Sequence, residues 1–203
     1  MSRWQADGLL LVVVVIWGST FIIVKNALDL VGPFVFVAAR FWIAGLALLA
    51  IWGALRLRAS GQLMAHGVLA GVLLWGGYVT QTIGLQSTDA SKAGFITGLA
   101  VVLVPLFAAL LLRDRLSRAV RLGVVLAALG LGLMTLSGPI ERLSTGDLWV
   151  LGCAFFFAFH IIAVAHFAPK HGVLPFVVVQ LLVTALLATA VALLLERDAL
   201  RPP

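Results

Sequence analysis

Apolar side chains in this chain come in long unbroken runs, not in the alternating or narrow-stripe patterns of soluble strands and helices. A bilayer core of roughly 30 Å is crossed by about 20 residues of helix. Runs of that length lie at approximately 8–26, 33–55, 64–86, 92–112, 120–138, 147–167 and 174–195, which predicts seven transmembrane helices. The breaks between them are short: Asp29 to Gly32, Arg56 to Leu63, Ser87 to Ser91, Arg113 to Ala119, Gly138 to Gly146 and Ala168 to Leu174. Most carry Gly, Pro, Ser or Asp, the residues that turns require, and none has room for a soluble domain. The first run is longer than the apolar region of a signal peptide and has no small-residue cleavage site, so it reads as an uncleaved first span.

Composition agrees with the pattern. Of 203 residues, 63% are apolar and 11% charged, with a mean hydropathy of +1.15. Soluble domains are nearer half apolar and a quarter charged, and disordered chains are polar, so both classes are excluded. The expected class is an all-α, polytopic integral membrane protein whose first partner is the lipid bilayer. The net charge of +6 would suggest nucleic acid in a soluble protein; here it follows from the excess of Lys and Arg in cytoplasmic loops. With the N-terminus inside, the inner loops hold Arg3, Arg56, Arg58, Arg113, Arg115, Arg118, Arg121 and Lys170, against Lys25, Lys92, Arg142, Arg197 and Arg201 outside. A cytoplasmic N-terminus is therefore expected, and no nucleic-acid partner. The single Cys153 permits neither an intrachain disulfide nor a cysteine-based metal centre.

The chain also resembles itself at a distance of about 140 residues. Ala6-Asp7-Gly8 aligns with Gly146-Asp147-Leu148, Trp17 to Phe21 with Phe157 to Ile161, and Pro33-Phe34-Val35, two residues out of register, with Pro175-Phe176-Val177. Five spans separate the two origins, so the second copy enters the membrane from the opposite face. Inverted repeats of this kind mark secondary transporters, whose solute site lies near midplane between the halves. Two spans of the second copy are present, and its remaining three would lie beyond residue 203.

Trp17-Gly18-Ser19-Thr20-Phe21, Lys25, Pro33 and Arg40, then Ser91 to Leu99 (SKAGFITGL), Pro105, Leu112 to Ser117 (LRDRLS) and Gly123, together resemble the EamA-type module of the drug/metabolite transporter superfamily. Asp114 stands where that family commonly has Glu. The resemblance implies a five-plus-five helix fold in which residues 1–138 form the first module and 146–203 the first two helices of a second, truncated one. It also implies an exporter of small metabolites or amino-acid-like compounds in a bacterial inner membrane.

Polar side chains inside the spans are the candidate solute pathway, because a polar atom in hydrocarbon must face protein or a watery cavity. Arg40, roughly 10 Å along the helix from Pro33 at ~1.5 Å per residue, is placed to hold a solute carboxylate, or else to bond backbone carbonyls as a structural arginine. In the third span Trp75, Tyr78, Thr82 and Gln86 share one face, with Gly77, Thr80 and Gly84 opposite. The small face suits helix packing and the aromatic one a cavity wall or a lipid-facing belt. Trp17 and Thr20 align with Phe157 and His160, and Gln180 adds a further hydrogen-bonding group. His160 reads as a proton carrier, a solute contact or a satisfied core histidine. His166, six residues on, is off its face, so that pair makes no metal site. All eight acidic residues fall in loops or at span ends. Gly94 with Gly98, and Gly123 with Ala127 and Gly130, read as packing surfaces, and Pro105 as a bend. No catalytic, cofactor or metal site is expected, and a homodimer is left open. A seven-helix sensor and an inactive transporter fragment are the alternatives; an intramembrane enzyme lacks any G-x-S-x-G motif or paired carboxylates.

Overall fold

The computed structural model describes residues 3–55, 59–112, 116–136 and 144–197. Their regular structure is helical throughout: α1 (Arg3–Ala27), α2 (Pro33–Ala54), α3 (Gly61–Leu85), α4 (Ala90–Gly98), α5 (Ala100–Leu112), α6 (Arg118–Leu136), α7 (Thr145–His171) and α8 (Val173–Leu195). Local chemistry sets several of the ends. Pro33 opens α2, where its missing N–H costs nothing. The Ser60 hydroxyl caps α3 by accepting from Leu63 N at 3.1 Å. Ser144 and Asp147 form a reciprocal capping box at the start of α7. Between α7 and α8 a single residue makes the turn: Gly172 has φ 82°, a conformation that residues with a Cβ resist.

Six helical stretches among the described residues are long and apolar enough to cross a membrane. The expected fifth span coincides with helix α6, which has Arg118 and Arg121 in its first turn. The fourth span is interrupted at Leu99, where α4 ends and α5 begins, and Pro105 lies within α5. The loop charges Arg56, Arg58, Arg113, Asp114, Arg115, Glu141, Arg142, Asp198 and Arg201 lie outside the described residues.

Helix α3 is the centre of the bundle, packed most extensively on α7 and α8, while α2 packs on α8. Lipid is as apolar as leucine, so helices associate where small residues let backbones approach and dispersion contacts multiply. A Cβ on Gly77 would lie 2.6 Å from the Phe157 ring of α7, and one on Gly71 would lie 2.6 Å from Val183 Cβ and 2.9 Å from the Gln180 carbonyl oxygen of α8. Thr184 adds a hydrogen bond to the Gly71 carbonyl at 3.1 Å. Around these contacts Val37, Ala38, Phe41, Leu74, Val79, Cys153, Phe157, Ala185 and Ala188 form the largest core cluster. Helices α1 and α6 are peripheral. The small stripe of α6 is no packing surface among the described atoms, since positions 123 and 130 meet nothing within 4 Å; Gly98 is equally open, while Gly94 faces Phe21 at 3.8 Å.

Gly71→Ala should therefore lower stability by about 1–3 kcal/mol through overpacking against a backbone atom that cannot move aside, whereas Gly123→Ala should not destabilise. Thermal unfolding of the detergent-solubilised variants distinguishes the two.

Candidate functional site

Starting helix α2 at Pro33 places Arg40 about two turns inside it, half-buried, on the side that faces α3. Its guanidinium carbon lies 4.7 Å from the Tyr78 ring centroid and 5.9 Å from that of Phe41. Tyr78 meets Phe41 edge-on at 4.9 Å and Phe157 at 5.2 Å, and Phe157 meets Trp17 at 6.1 Å. Helices α1, α2, α3 and α7 thus each bring a ring to a chain of contacts that ends under one cation. Aromatic faces attract a cation by about 0.5–2 kcal/mol, which holds the side chain without neutralising it. Arg40 makes no ion pair among the described residues; both of the ion pairs there belong to lysines.

The other predicted pathway residues divide. Trp75 packs beside Tyr78 on the same core cluster, and its indole N–H is buried without an acceptor among the described residues. Thr82 is buried and donates its hydroxyl to the Tyr78 carbonyl at 2.6 Å; Thr20 donates to the Trp17 carbonyl at 2.6 Å. Both hydroxyl protons are thereby committed to their own helices. His160 and Gln180 form a separate unit that joins α7 to α8, with Nε2 2.9 Å from Oε1. Gln86 is the exposed C-cap residue of α3 rather than part of its inner face. A shallow apolar hollow between α5 and α7, lined by Val104, Ala108, Ile161, Ile162, Ala165 and His166, contains none of these candidates.

Two buried polar groups went unread in the sequence. Gln81 of α3 donates to Thr97 Oγ1 of α4 at 3.3 Å and to Cys153 Sγ of α7 at 3.7 Å, knitting three helices together. At the bundle end where α3 finishes, the side chain of Asp147 is wholly buried. Its Oδ1 accepts from Thr88 at 2.5 Å, and its Oδ2 from Ser144 N at 2.7 Å and from Lys92 at 2.7 Å. Lys25 of α1 donates to the Thr88 carbonyl at 2.5 Å and lies 3.7 Å from Asp89. Lys25 thus ties α1 to the connection between α3 and α4, and Lys92 ties α4 to the start of α7. The Ser144-x-x-Asp147 spacing was a legible sign of the cap; the partners of its carboxylate were not.

Residues 4–136 match the model of the EamA-like transporter family. A curated protein of Archaeoglobus fulgidus, named "Uncharacterized transporter", is 38% identical over 168 residues, covering 83% of this chain and 51% of that one. The chain thus spans about half the length of that relative. A solved structure described as "Crystal structure of protein" shares the fold, with a TM-score of 0.66 at 22% identity over 90% of this chain and 64% of the other.

Removing one partner of a buried ion pair strands the other. Lys92→Met and Asp147→Asn should each destabilise the protein. The double variant should lose less than their sum, with a coupling of about 0.5–3 kcal/mol, read by a double-mutant cycle of unfolding in detergent.

Proposed function

The chain belongs to the EamA-like transporter family, and on that premise we propose that it works as a secondary transporter, exporting a small amphipathic metabolite of amino-acid-like character by alternating access. It is a multi-pass membrane protein; the reading places it in a bacterial inner membrane with the N-terminus cytoplasmic. The observation that carries the proposal is Arg40, a permanent charge inside a spanning helix that rests on the Tyr78 ring and has no carboxylate partner among the described residues. A fixed cation in hydrocarbon is costly and marks a solute or ion pathway by default. A planar guanidinium with no hydrogen-bond partner among the described residues is free to take a carboxylate in bidentate fashion. The rings of Trp17, Phe41, Tyr78 and Phe157 supply the apolar wall that the body of such a solute needs. Trp75, Thr82, His160 and Gln180 are assigned to the same pathway, and Thr20 to its margin.

Two inverted modules, 1–138 and 146–203, complete the reading. Lys25 near the end of α1 and Asp147 at the start of α7 both meet Thr88, so the end of α1 and the start of α7 share one end of the bundle. Glu196, just past α8, meets Phe34 and Val35 at the start of α2. Helices α1 and α7, and likewise α2 and α8, thus run in opposite directions, which supports the inverted reading. Trp17 and its aligned partner Phe157 touch, as residues near a pseudo-twofold axis would. Rocking of one module against the other around that axis is the movement such a design uses.

Cells loaded with a carboxylate-bearing metabolite and expressing the chain should release it faster than vector controls. Arg40→Gln should cut that excess by roughly tenfold or more, the worth of a charge-assisted hydrogen bond, and Arg40→Lys should restore part of it. Equal release from wild type and Arg40→Gln, with both present in the membrane, contradicts the assignment. Topology reporters fused at Ser2 and at Leu148 should report opposite compartments; the same compartment for both removes the inverted repeat.

A further inference from the structure

Three of the four histidines in the chain gather at one end of the bundle. His66 lies in the second turn of α3, and His171 is the last residue of α7. Their ring nitrogens face each other, His66 Nδ1 to His171 Nε2, at 2.8 Å. Neither ring is loosely held. His66 stacks on Phe167 at 4.0 Å with 17° between the planes, and His171 lies parallel to Phe176 of α8 at 6.4 Å. Two imidazoles from different helices, pre-aimed at a common point by aromatic neighbours, are half of a tetrahedral metal site.

We propose that His66 and His171 bind a divalent transition metal of the zinc, nickel and copper class, which clamps the start of α3 to the end of α7. Neutral imidazole suits these metals, whereas magnesium and calcium select oxygen ligands. With metal–nitrogen distances of about 2.0–2.1 Å, tetrahedral geometry needs the two nitrogens roughly 3.3 Å apart, about half an ångström beyond their hydrogen-bonded spacing. Side chains at helix ends have that freedom. In the metal-free pair one facing nitrogen carries a proton and the other accepts it. On binding, the donor ring shifts that proton to its other nitrogen, so both lone pairs face the metal and no net charge is lost. Among the described residues no three His, Cys, Asp or Glu side chains converge, so water completes the coordination. His166 does not join, because its Nε2 is engaged by Lys170 at 2.8 Å.

The charged and titratable neighbours set the behaviour of the site. On α7 these are His166 and Lys170; the packing residues that α2 and α8 bring to this end, Trp52, Phe176 and Val179, are uncharged. The ammonium of Lys170 opposes a divalent cation, so removing it should tighten binding. Acid should weaken binding, because protons compete with the metal for the same imidazole nitrogens. The pair is 105 residues apart in sequence, which is why no spacing motif announces it.

The test uses the 203-residue chain purified in detergent without a polyhistidine tag, stripped with chelator, and titrated with zinc or nickel by equilibrium dialysis. One metal per chain is expected, with a raised thermal midpoint and no response to magnesium. His66→Gln and His171→Gln should each weaken binding by about tenfold or more, and Lys170→Met should strengthen it several-fold. If the histidine variants fail to fold, the Lys170→Met arm still decides. Unchanged affinity in the histidine variants or in Lys170→Met, or no binding by wild type up to millimolar metal, overturns the proposal. Because the readout is binding, it is independent of any transport activity.

Discussion

In hydrocarbon an apolar side chain gains nothing by leaving lipid for a neighbour, so helices stay together only where they come close enough for dense packing and shared hydrogen bonds. In this protein that proximity is concentrated on α3. Glycines at 71 and 77 admit Val183 and Phe157 almost to the backbone, and α7 and α8 are held against α3 on adjoining faces. The aromatic contacts above Arg40 depend on this, because Tyr78 reaches Phe157 only at the spacing those glycines allow. So does the meeting of His66 with His171, which needs the antiparallel α3 and α7 to stay in register over their full length.

The buried polar groups sort themselves by how they are satisfied. Thr80 and Thr82 donate to carbonyls of their own helix and add little between helices. Gln81, Trp42, Thr184 and Asp147 reach across to another element. Arg40 belongs to neither group, since it is cushioned by rings and left charged. That contrast carries more than the presence of an arginine: the same chain shows with Asp147 and Lys92 that it can neutralise a charge completely where the fold requires it.

Helix existence and the small face of α3 were legible in the sequence because apolar run length and a 100° repeat are local signals. Arg40, Tyr78, His160 and Gln180 stood out for the same reason, being polar in apolar runs. Partnership was not legible. Nothing near Asp147 announces Lys92, 55 positions away, and Gln81 was passed over because its companions Thr97 and Cys153 lie on other helices. The interruption at Leu99 was not legible, because the Gly98-Leu99 step carries no proline and its glycine reads as a packing residue, whereas it has open space around it.

Glu196 offers both carboxylate oxygens to the free amides at the start of α2, 3.1 Å from Phe34 N and 2.8 Å from Val35 N. The positive end of that helix is met by a formal negative charge. Mechanically, α2 and α8 become a braced strut: sliding either along its axis would uncouple the ends. Tilting them together costs nothing at this joint. Any reorientation that exposes Arg40 first to one side and then to the other must therefore find its compliance elsewhere, in the lightly packed α1 and α6 or at the interrupted fourth span.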